Sequence, residues 1–453
     1  MDRRRFLAVT GALPTAAWLT EMSASAAAWD GVPDILARIR PPVFPNREFN
    51  VADYGAAADG KTDCTGAIAR AIDECSQAGG GRVTFPRGSF LTGAIHLKSN
   101  VNLLVPAGVT IKFIPDPMLY LPLVRTRWEG TDLINYSPLI HAENQENLAV
   151  TGEGVLDGGA GAQHWWNWAA RAAANRMALA EMGAKDVPME QRVFGEGAFL
   201  RPSMFQPIRS RNILVEGIRF TGSPMWVITP LYCRNVIIRG AKVVAHGPNT
   251  DGCDPDSCVD MLIENCSFDT GDDCIAIKSG RNRDGRRVGV ATENVIVRGC
   301  QMKDGHGGVT IGSEMSGGVR NVFVENCRLD SPNLNQAMRF KTNAMRGGVI
   351  ENIYFRDLTV GEVSNAVLQI DCLYEEGANG PEKPVVRNVD VQKVASRKSR
   401  YALQLRGLAA SPIGEVSLTD CAFENVAQGN VIENVTGLKC ANVKINGKKF
   451  ESP

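Results

Sequence analysis

The chain lacks three features that would place it at a glance. None of its twelve cysteines stands in a Cys-x-x-Cys motif, which argues against a zinc site. Neither charge is in excess, since 49 Lys and Arg face 49 Asp and Glu. A generic nucleic-acid or membrane footprint is thereby excluded, and an anionic ligand would have to be met by local cations. Beyond the N-terminus, no window approaches the roughly 18 apolar residues of a membrane-spanning helix. The thiols read as small, buried, apolar groups. Disulfides such as Cys253–Cys258 or Cys64–Cys75 are the alternative in an oxidising compartment.

What is present begins with a basic start, Arg3-Arg4-Arg5-Phe6-Leu7, followed by a weakly apolar run from Ala8 to Leu19 and small residues at Ala24-Ser25-Ala26. Residues 1–28 read as an export signal of the twin-arginine type, with an ordinary secretory signal as the alternative. The destination is the periplasm or the extracellular medium, with no membrane association after removal of the signal. The whole chain has 453 residues and 44% hydrophobic content. Single cores stop growing at roughly 250–300 residues, so the length implies two domains or a solenoid.

Repeats decide between these. Asn147-Leu148-Ala149-Val150 recurs in form at Asn212, Asn235, Asp260, Asn294, Asn321, Asn352 and Asn388. The elements are short, β-branched and separated by Gly, Asn and Asp, and alternation persists in Cys266-Ser267-Phe268 and Cys300-Gln301-Met302. The i, i+3, i+4 pattern of a helical repeat is missing. A right-handed parallel β-helix spanning residues 46–453 is expected, with an antiparallel sandwich as runner-up. Asparagines stacked at the coil corners would tolerate a left-handed backbone and share amide hydrogen bonds. Cys266, Cys300 and Cys327 should stack inward.

Two segments depart from the strand pattern. A helix capped by Thr62 or Asp63, buried through Ile68, Ala71, Ile72 and Cys75 and ended by Gly79-Gly80-Gly81, is expected to cover the open end of the solenoid. Residues 159–197 read as a helical insertion over one face. Its Trp165, Trp166 and Trp168 are candidates either for stacking on sugar rings or for anchoring the insertion.

Four polar clusters follow the repeats in phase: Asn249-Thr250-Asp251, Gly271-Asp272-Asp273, Gly305-His306-Gly307 and Arg339-Phe340-Lys341. They are expected on the strand that follows the first strand of each coil. Rungs stack about 4.7–4.9 Å apart, so residues distant in sequence become neighbours. Three crowded aspartates cannot all ionise easily, and repulsion raises at least one pKa. That supplies both an acid and a carboxylate, which is what cleavage of a glycosidic bond needs. Gly271 implies a bend that aims both adjoining aspartates outward. His306 would orient a carboxylate, and Arg339 and Lys341, two apart on one strand face, suit a substrate carboxylate. Rung spacing alone permits either inversion or retention.

The same four clusters, in order, resemble the motifs of glycoside hydrolase family 28, the polygalacturonases. Arg127-Trp128-Glu129-Gly130, Ser223-Pro224-Met225-Trp226, Asp254-Pro255-Asp256-Ser257 and Gly312-Ser313-Glu314 resemble its bacterial, often exo-acting branch. The resemblance implies inverting, metal- and cofactor-free hydrolysis of α-1,4 bonds in galacturonan. Asp272 would be the general acid, and Asp251 and Asp273 would hold and deprotonate water. His306 would support the acid. Arg339 and Lys341 would bind the galacturonate carboxylate. Beside the resemblance, Asn249 is a substrate-binding candidate, as are Trp165 and Trp166 on the ring-stacking reading. Thr229 stands where some matching members carry His, at an outer subsite. The rival functions are hydrolysis of rhamnogalacturonan or oligogalacturonides, calcium-dependent pectate elimination, and non-enzymatic carbohydrate binding. Exo action is favoured if loops such as 159–197 close one end of the groove.

Overall fold

The computed structural model describes residues 28–452. The expected export signal lies outside the described residues, save Ala28. No helix among the described residues is long and apolar enough to cross a membrane.

The chain winds as a right-handed parallel β-helix. Each full coil contributes three strands. The first strands (for example Arg211–Glu216, Arg234–Arg239 and Val259–Glu264) and the second strands (Arg219–Thr221, Lys242–Ala245 and Ser267–Thr270) belong to a 25-stranded sheet. The third strands, from Ile275–Ile277 through Gly305–Gly312 and Leu334–Lys341 to Val431–Glu433, form a separate six-stranded sheet. Val236, Ile238, Met261, Ile263, Val295 and Val297 point inward and are fully buried, in the strict alternation that a tube requires.

Two stacked corners bound the first strand. Asn147, Asn212, Asn235, Asp260, Asn294, Asn321, Asn352 and Asn388 all adopt φ between 52° and 60°. Their amides form the expected ladder: Asn212 Nδ2 donates to Asn147 Oδ1 at 2.9 Å, Asn321 to Asn294 at 3.2 Å, and Asn352 to Asn321 at 3.1 Å. A non-glycine residue in the left-handed region costs roughly 1–2 kcal/mol, and Asn offsets this by hydrogen bonding. Asn321→Ala is therefore expected to cost about 2–3 kcal/mol in chemical unfolding, and Asn321→Gly only about 1 kcal/mol. The second corner repeats the device with Gly217, Gly240, Asn265, Gly299 and Asn326, all at positive φ. It splits off a short second strand. The polar clusters therefore do not sit on the strand after the first, as the spacing suggested, but at the entrance to and along the third.

Helix α1 (Val32–Arg38) runs down the outside of the first strands. There the outward residues Leu214, Ile237, Leu262, Ile296, Phe323 and Tyr354 form an apolar stripe covered by Trp29, Val32, Ile35 and Ile39. Asp260 cannot donate to Asn235 as an asparagine would. It instead takes Arg38 Nη2 at 2.8 Å, while Asn235 closes on the Arg40 backbone. Helix α2 (Thr65–Gln77) packs Ile68, Ala71, Ile72 and Cys75 over the first coils. Its expected cap is displaced. Asp59–Asp63 is drawn into a strand beside Gly88–Thr92, so Cys64 takes the N-cap position and Asp63 accepts from the Thr65 N–H at 2.9 Å.

The twelve cysteines are all free, and eleven are buried, including Cys266, Cys300 and Cys327. Cys253–Cys258 and Cys64–Cys75 are not bridged.

Among the described residues two hairpins break the parallel pattern, one of them Val443–Ile445 with Lys448–Phe450 at the C-terminal end and the other beside the third sheet. Val124–Trp128 and Thr131–Asn135 pair antiparallel, and Val193–Phe194 joins their edge. The 159–197 segment carries helix α3 (Ala173–Ala184) and lies beside this hairpin.

Candidate active site

The third sheet positions the chemistry. Cys253, Ile275, Val309 and Met338 stand in register and point into the core. Residues one and three places later must then face outward: Asp254, Thr310 and Arg339 in one row, and Asp256, Lys278 and Lys341 in the next. Asp251 and Asp273 stand two places before the inward residues, at the strand entrances.

Local sequence sets those entrances. Thr250 Oγ1 accepts from the Gly247 N–H and lies 2.7 Å from the Ala245 and Gly247 carbonyls, which folds the loop that presents Asn249 and Asp251. Gly271 must be glycine because a Cβ there would lie 2.5 Å from the Gly247 carbonyl oxygen. This close approach turns Asp272 and Asp273 out together. Carboxylate oxygens of Asp251, Asp272 and Asp273 lie within 4.8 Å of one another.

The three differ in surroundings. Asp273 is fully buried and holds Lys341 Nζ at 2.7 Å and Arg339 Nη1 at 3.2 Å. Against the cost of burial, those cations keep its carboxyl well below the usual range. Asp251 is buried, and one of its oxygens has no hydrogen-bond donor. Burial, reinforced by Asp272, pushes it up to about 8. Asp272 is the accessible member, 18% exposed, and accepts from His306 Nδ1 at 2.9 Å. That bond raises the His306 pKa above its ordinary value. Proton occupancy on His306 should thus persist above the usual ~6.5 and be lost as pH rises through the higher value. An NMR titration of the imidazole is expected to show this, with a return toward ~6.5 in Asp272→Asn.

The trio has the spacing of a cation site, but Lys341 and Arg339 already occupy Asp273, and Lys278 Nζ stands 3.7 Å from Asp251. A divalent ion would be the fourth positive centre there, so the arrangement favours proton chemistry.

Asn249 is tied by its Oδ1 to Arg201, a buried guanidinium that also donates to the Pro224 and Pro248 carbonyls. Burial lowers Arg201 to about 10. Arg201 and Lys278 were missed by motif reasoning, and Glu129, Asp254 and Glu314, though they stand in the stretches that resemble the exo-acting branch, were given no role. For Lys278 a signal did exist, because it falls on the outward phase of the apolar run Ile275-Ala276-Ile277. Of the two readings of Trp165, its position fits the anchor. Trp165 is 2% exposed and packs on Tyr120 and Trp168, because the insertion needs an apolar anchor. Trp166 is half-buried, donates to the Ser223 carbonyl and lays its ring on Gly247, two residues from Asn249.

The antiparallel hairpin at 124–135 lies along the outer face of the third sheet, from the coil of Gln206 past the coils that carry the trio. Arg127 salt-bridges Asp256 at 2.6 Å and Asp132 at 2.7 Å, and Thr126 bonds Gln206. Its tip, Glu129-Gly130, meets Arg281 and Glu314 so closely that a Cβ on Gly130 would lie 2.8 Å from both. Glu129 is clamped by Arg176 of the insertion at 2.9 Å and by Arg281 at 3.4 Å.

The model of the glycosyl hydrolases family 28 matches residues 196–447. A model described as rhamnogalacturonase A/epimerase, pectate lyase-like, matches residues 48–107. The crystal structure of a hyperthermoactive exopolygalacturonase from Thermotoga maritima is 46% identical, covers 94% of this chain and 97% of its own, and superposes with a TM-score of 0.91. An endo-polygalacturonase of Pectobacterium carotovorum is 27% identical over 72% of this chain and 76% of its own length. A polygalacturonase of Gossypium hirsutum is 26% identical over 87% of this chain and 86% of its own.

Proposed function

This chain belongs to family 28 of the glycosyl hydrolases, and from that premise we propose that it hydrolyses the α-1,4 bonds of polygalacturonate, releasing single units from one end. The observation that carries the reading is the trio of carboxylates within 4.8 Å, one accessible and two sunk, beside His306 and two cations.

Asp272 is the general acid. It is the member that a bound sugar can reach, and His306 holds its carboxyl in place. Asp251 and Asp273 form the floor that holds the attacking water. Asp273 is a poor nucleophile because Lys341 and Arg339 occupy both its oxygens. Asp251 keeps a free oxygen to accept from water and is a base poised near neutrality. As the O–C1 bond forms, the water proton passes to Asp251. The C1–O bond breaks, and Asp272 delivers its proton to the leaving oxygen. Attack by water, rather than by either carboxylate, inverts the anomeric centre.

Arg339 and Lys341 keep further N–H groups beyond those spent on Asp273 and meet the galacturonate carboxylate at the leaving-group side. Trp166 and Asn249 border the opposite side.

The exo reading rests on the hairpin. It spans from Gln206 to Arg281 and walls the groove beside the trio, and the likeness to the exopolygalacturonase of Thermotoga maritima, 46% identical over 94% of this chain, supports the same reading. A substrate outside the cell fits the export signal read from residues 1–28, with the periplasm or the medium as destination. Digestion of polygalacturonate should yield monogalacturonate alone from the first time points, with the β-anomer formed first by proton NMR. Mixed oligomers would overturn exo action, the α-anomer would overturn inversion, and ultraviolet-absorbing unsaturated products would replace hydrolysis by elimination.

A further inference from the structure

Beneath the trio lies a second tier of charge that the reaction above leaves unused. Lys278, on the outward face of the third sheet, is 2% exposed. Its ammonium stands 3.1 Å from Glu314 Oε2, 3.6 Å from Asp254 Oδ1 and 3.7 Å from Asp251 Oδ2, with the Trp226 ring 4.4 Å away. Asp254 is fully buried, and neither of its carboxyl oxygens has a hydrogen-bond donor. The other ammonium nearby, Lys341, is committed to Asp273.

Three buried carboxyls thus lie within 4 Å of the same ammonium. If all three were ionised, Asp251 and Asp254 would be two buried carboxylates beside an ammonium already held by Glu314, which burial does not tolerate. Glu314 has the shortest contact. Against the cost of burial, Lys278, Arg281 and Arg346 hold it well below the usual range, so it is the anion. Asp251 and Asp254 must then keep a proton between them. Burial raises Asp254 well above its ordinary value, with Asp251 adding to the effect.

We propose that Asp254 retains this proton and donates it in a hydrogen bond to Asp251, while Lys278, anchored by Glu314, faces the same carboxylate. The two are positioning residues that hold Asp251 as the oriented base of the reaction. The inference rests on the reading of Asp251 as the base. Asp254 keeps its own proton throughout turnover, and the water proton goes to Asp251.

The test is the pH dependence of kcat/KM on polygalacturonate for the wild type, Asp254→Asn, Asp254→Ala and the double variant Lys278→Met/Glu314→Gln. The amide of Asp254→Asn still offers an N–H, so activity should stay within about threefold of wild type, whereas Asp254→Ala should lose about 10- to 100-fold. The acid limb should move up by about one pH unit in Asp254→Ala and in the double variant, because both remove support for the Asp251 anion. Infrared difference spectroscopy at neutral pH should show a protonated-carboxyl band that Asp254→Asn abolishes and Asp272→Asn preserves. Equal losses in the two Asp254 variants with an unmoved limb, or a band indifferent to Asp254→Asn, would sink the proposal. The infrared arm needs only wild type and isosteric variants, so it decides even where Asp254→Ala does not fold. A wild type inactive on polygalacturonate would instead overturn the functional reading and leave the infrared result standing.

Discussion

Asp272→Asn is expected to lower kcat on polygalacturonate by about 10³–10⁴-fold while changing stability by less than about 1 kcal/mol. The carboxamide keeps an oxygen to accept from the Asp273 N–H, now 3.0 Å from Asp272 Oδ1, so the local turn survives. It cannot deliver a proton to the leaving oxygen. The loss corresponds to about 4–5.5 kcal/mol of transition-state stabilisation. KM should change little, because Asp272 meets the bridge oxygen and not the sugar carboxylate. Steady-state kinetics beside thermal unfolding checks both halves. A variant that keeps a tenth of wild-type kcat would remove Asp272 from the acid role.

The second large effect concerns Lys341→Met. A cation whose sole task was to meet the substrate would change KM alone when removed. Lys341 is in addition sunk against Asp273 at 2.7 Å, where both groups are out of water. Its loss leaves one oxygen of a buried carboxylate unpaired, with Arg339 alone on the other, which costs about 3–5 kcal/mol of stability and distorts the water-holding floor. kcat should fall about 10²–10³-fold, the size expected for losing one preorganised charge partner. The pH dependence has a definite sign. The folded Asp273 carboxyl lies below its unfolded value, so its contribution is fully present above about pH 4 and fades as pH falls toward the folded value. The deficit of Lys341→Met should accordingly be largest near neutrality and shrink in acid. Adding Asp273→Asn should restore most of the stability and none of the activity. Stability in Lys341→Met equal to wild type at pH 7 would show that the pair is not what holds Asp273.

These residues also mark where sequence reasoning reached and where it stopped. The Asn-apolar-x-apolar repeats disclosed the coil, because a left-handed corner that also needs an amide ladder admits few residues but asparagine. The four clusters disclosed the trio, because coil stacking makes sequence phase a measure of distance. The assignment to the second strand failed because the corner at Gly217, Gly240 and Asn265 is one residue wide and lies inside what looks like one continuous strand. The hairpin at 124–135 was legible only as a likeness to the exo-acting branch. Its work is done through Arg127–Asp256 and Glu129–Arg281, contacts of 129 and 152 residues separation that no local pattern encodes. The meeting of Asp254 and Glu314 at Lys278 was hidden for the same reason. Both acids stand in stretches noted for their likeness to that branch, but only the register of three coils brings them around one ammonium. The tryptophans offered two readings, and the anchor won for Trp165 because Tyr120, Trp168 and Phe199 bring aromatic surface to that corner.

The strap formed by Trp29 through Arg40 has a consequence for how the molecule comes apart. A stack in which each turn touches only its neighbours can fray one turn at a time from either end. Here Trp29 sits on Phe323 and Tyr354, Arg38 on Asp260 and Arg40 on Asn235, so one short segment is fastened to turns spread over more than a hundred residues. Peeling any of those turns forfeits part of the same fastening. The middle of the tube should therefore melt as a single cooperative block, and a chain trimmed at residue 45 should lose that sharpness and unravel in steps.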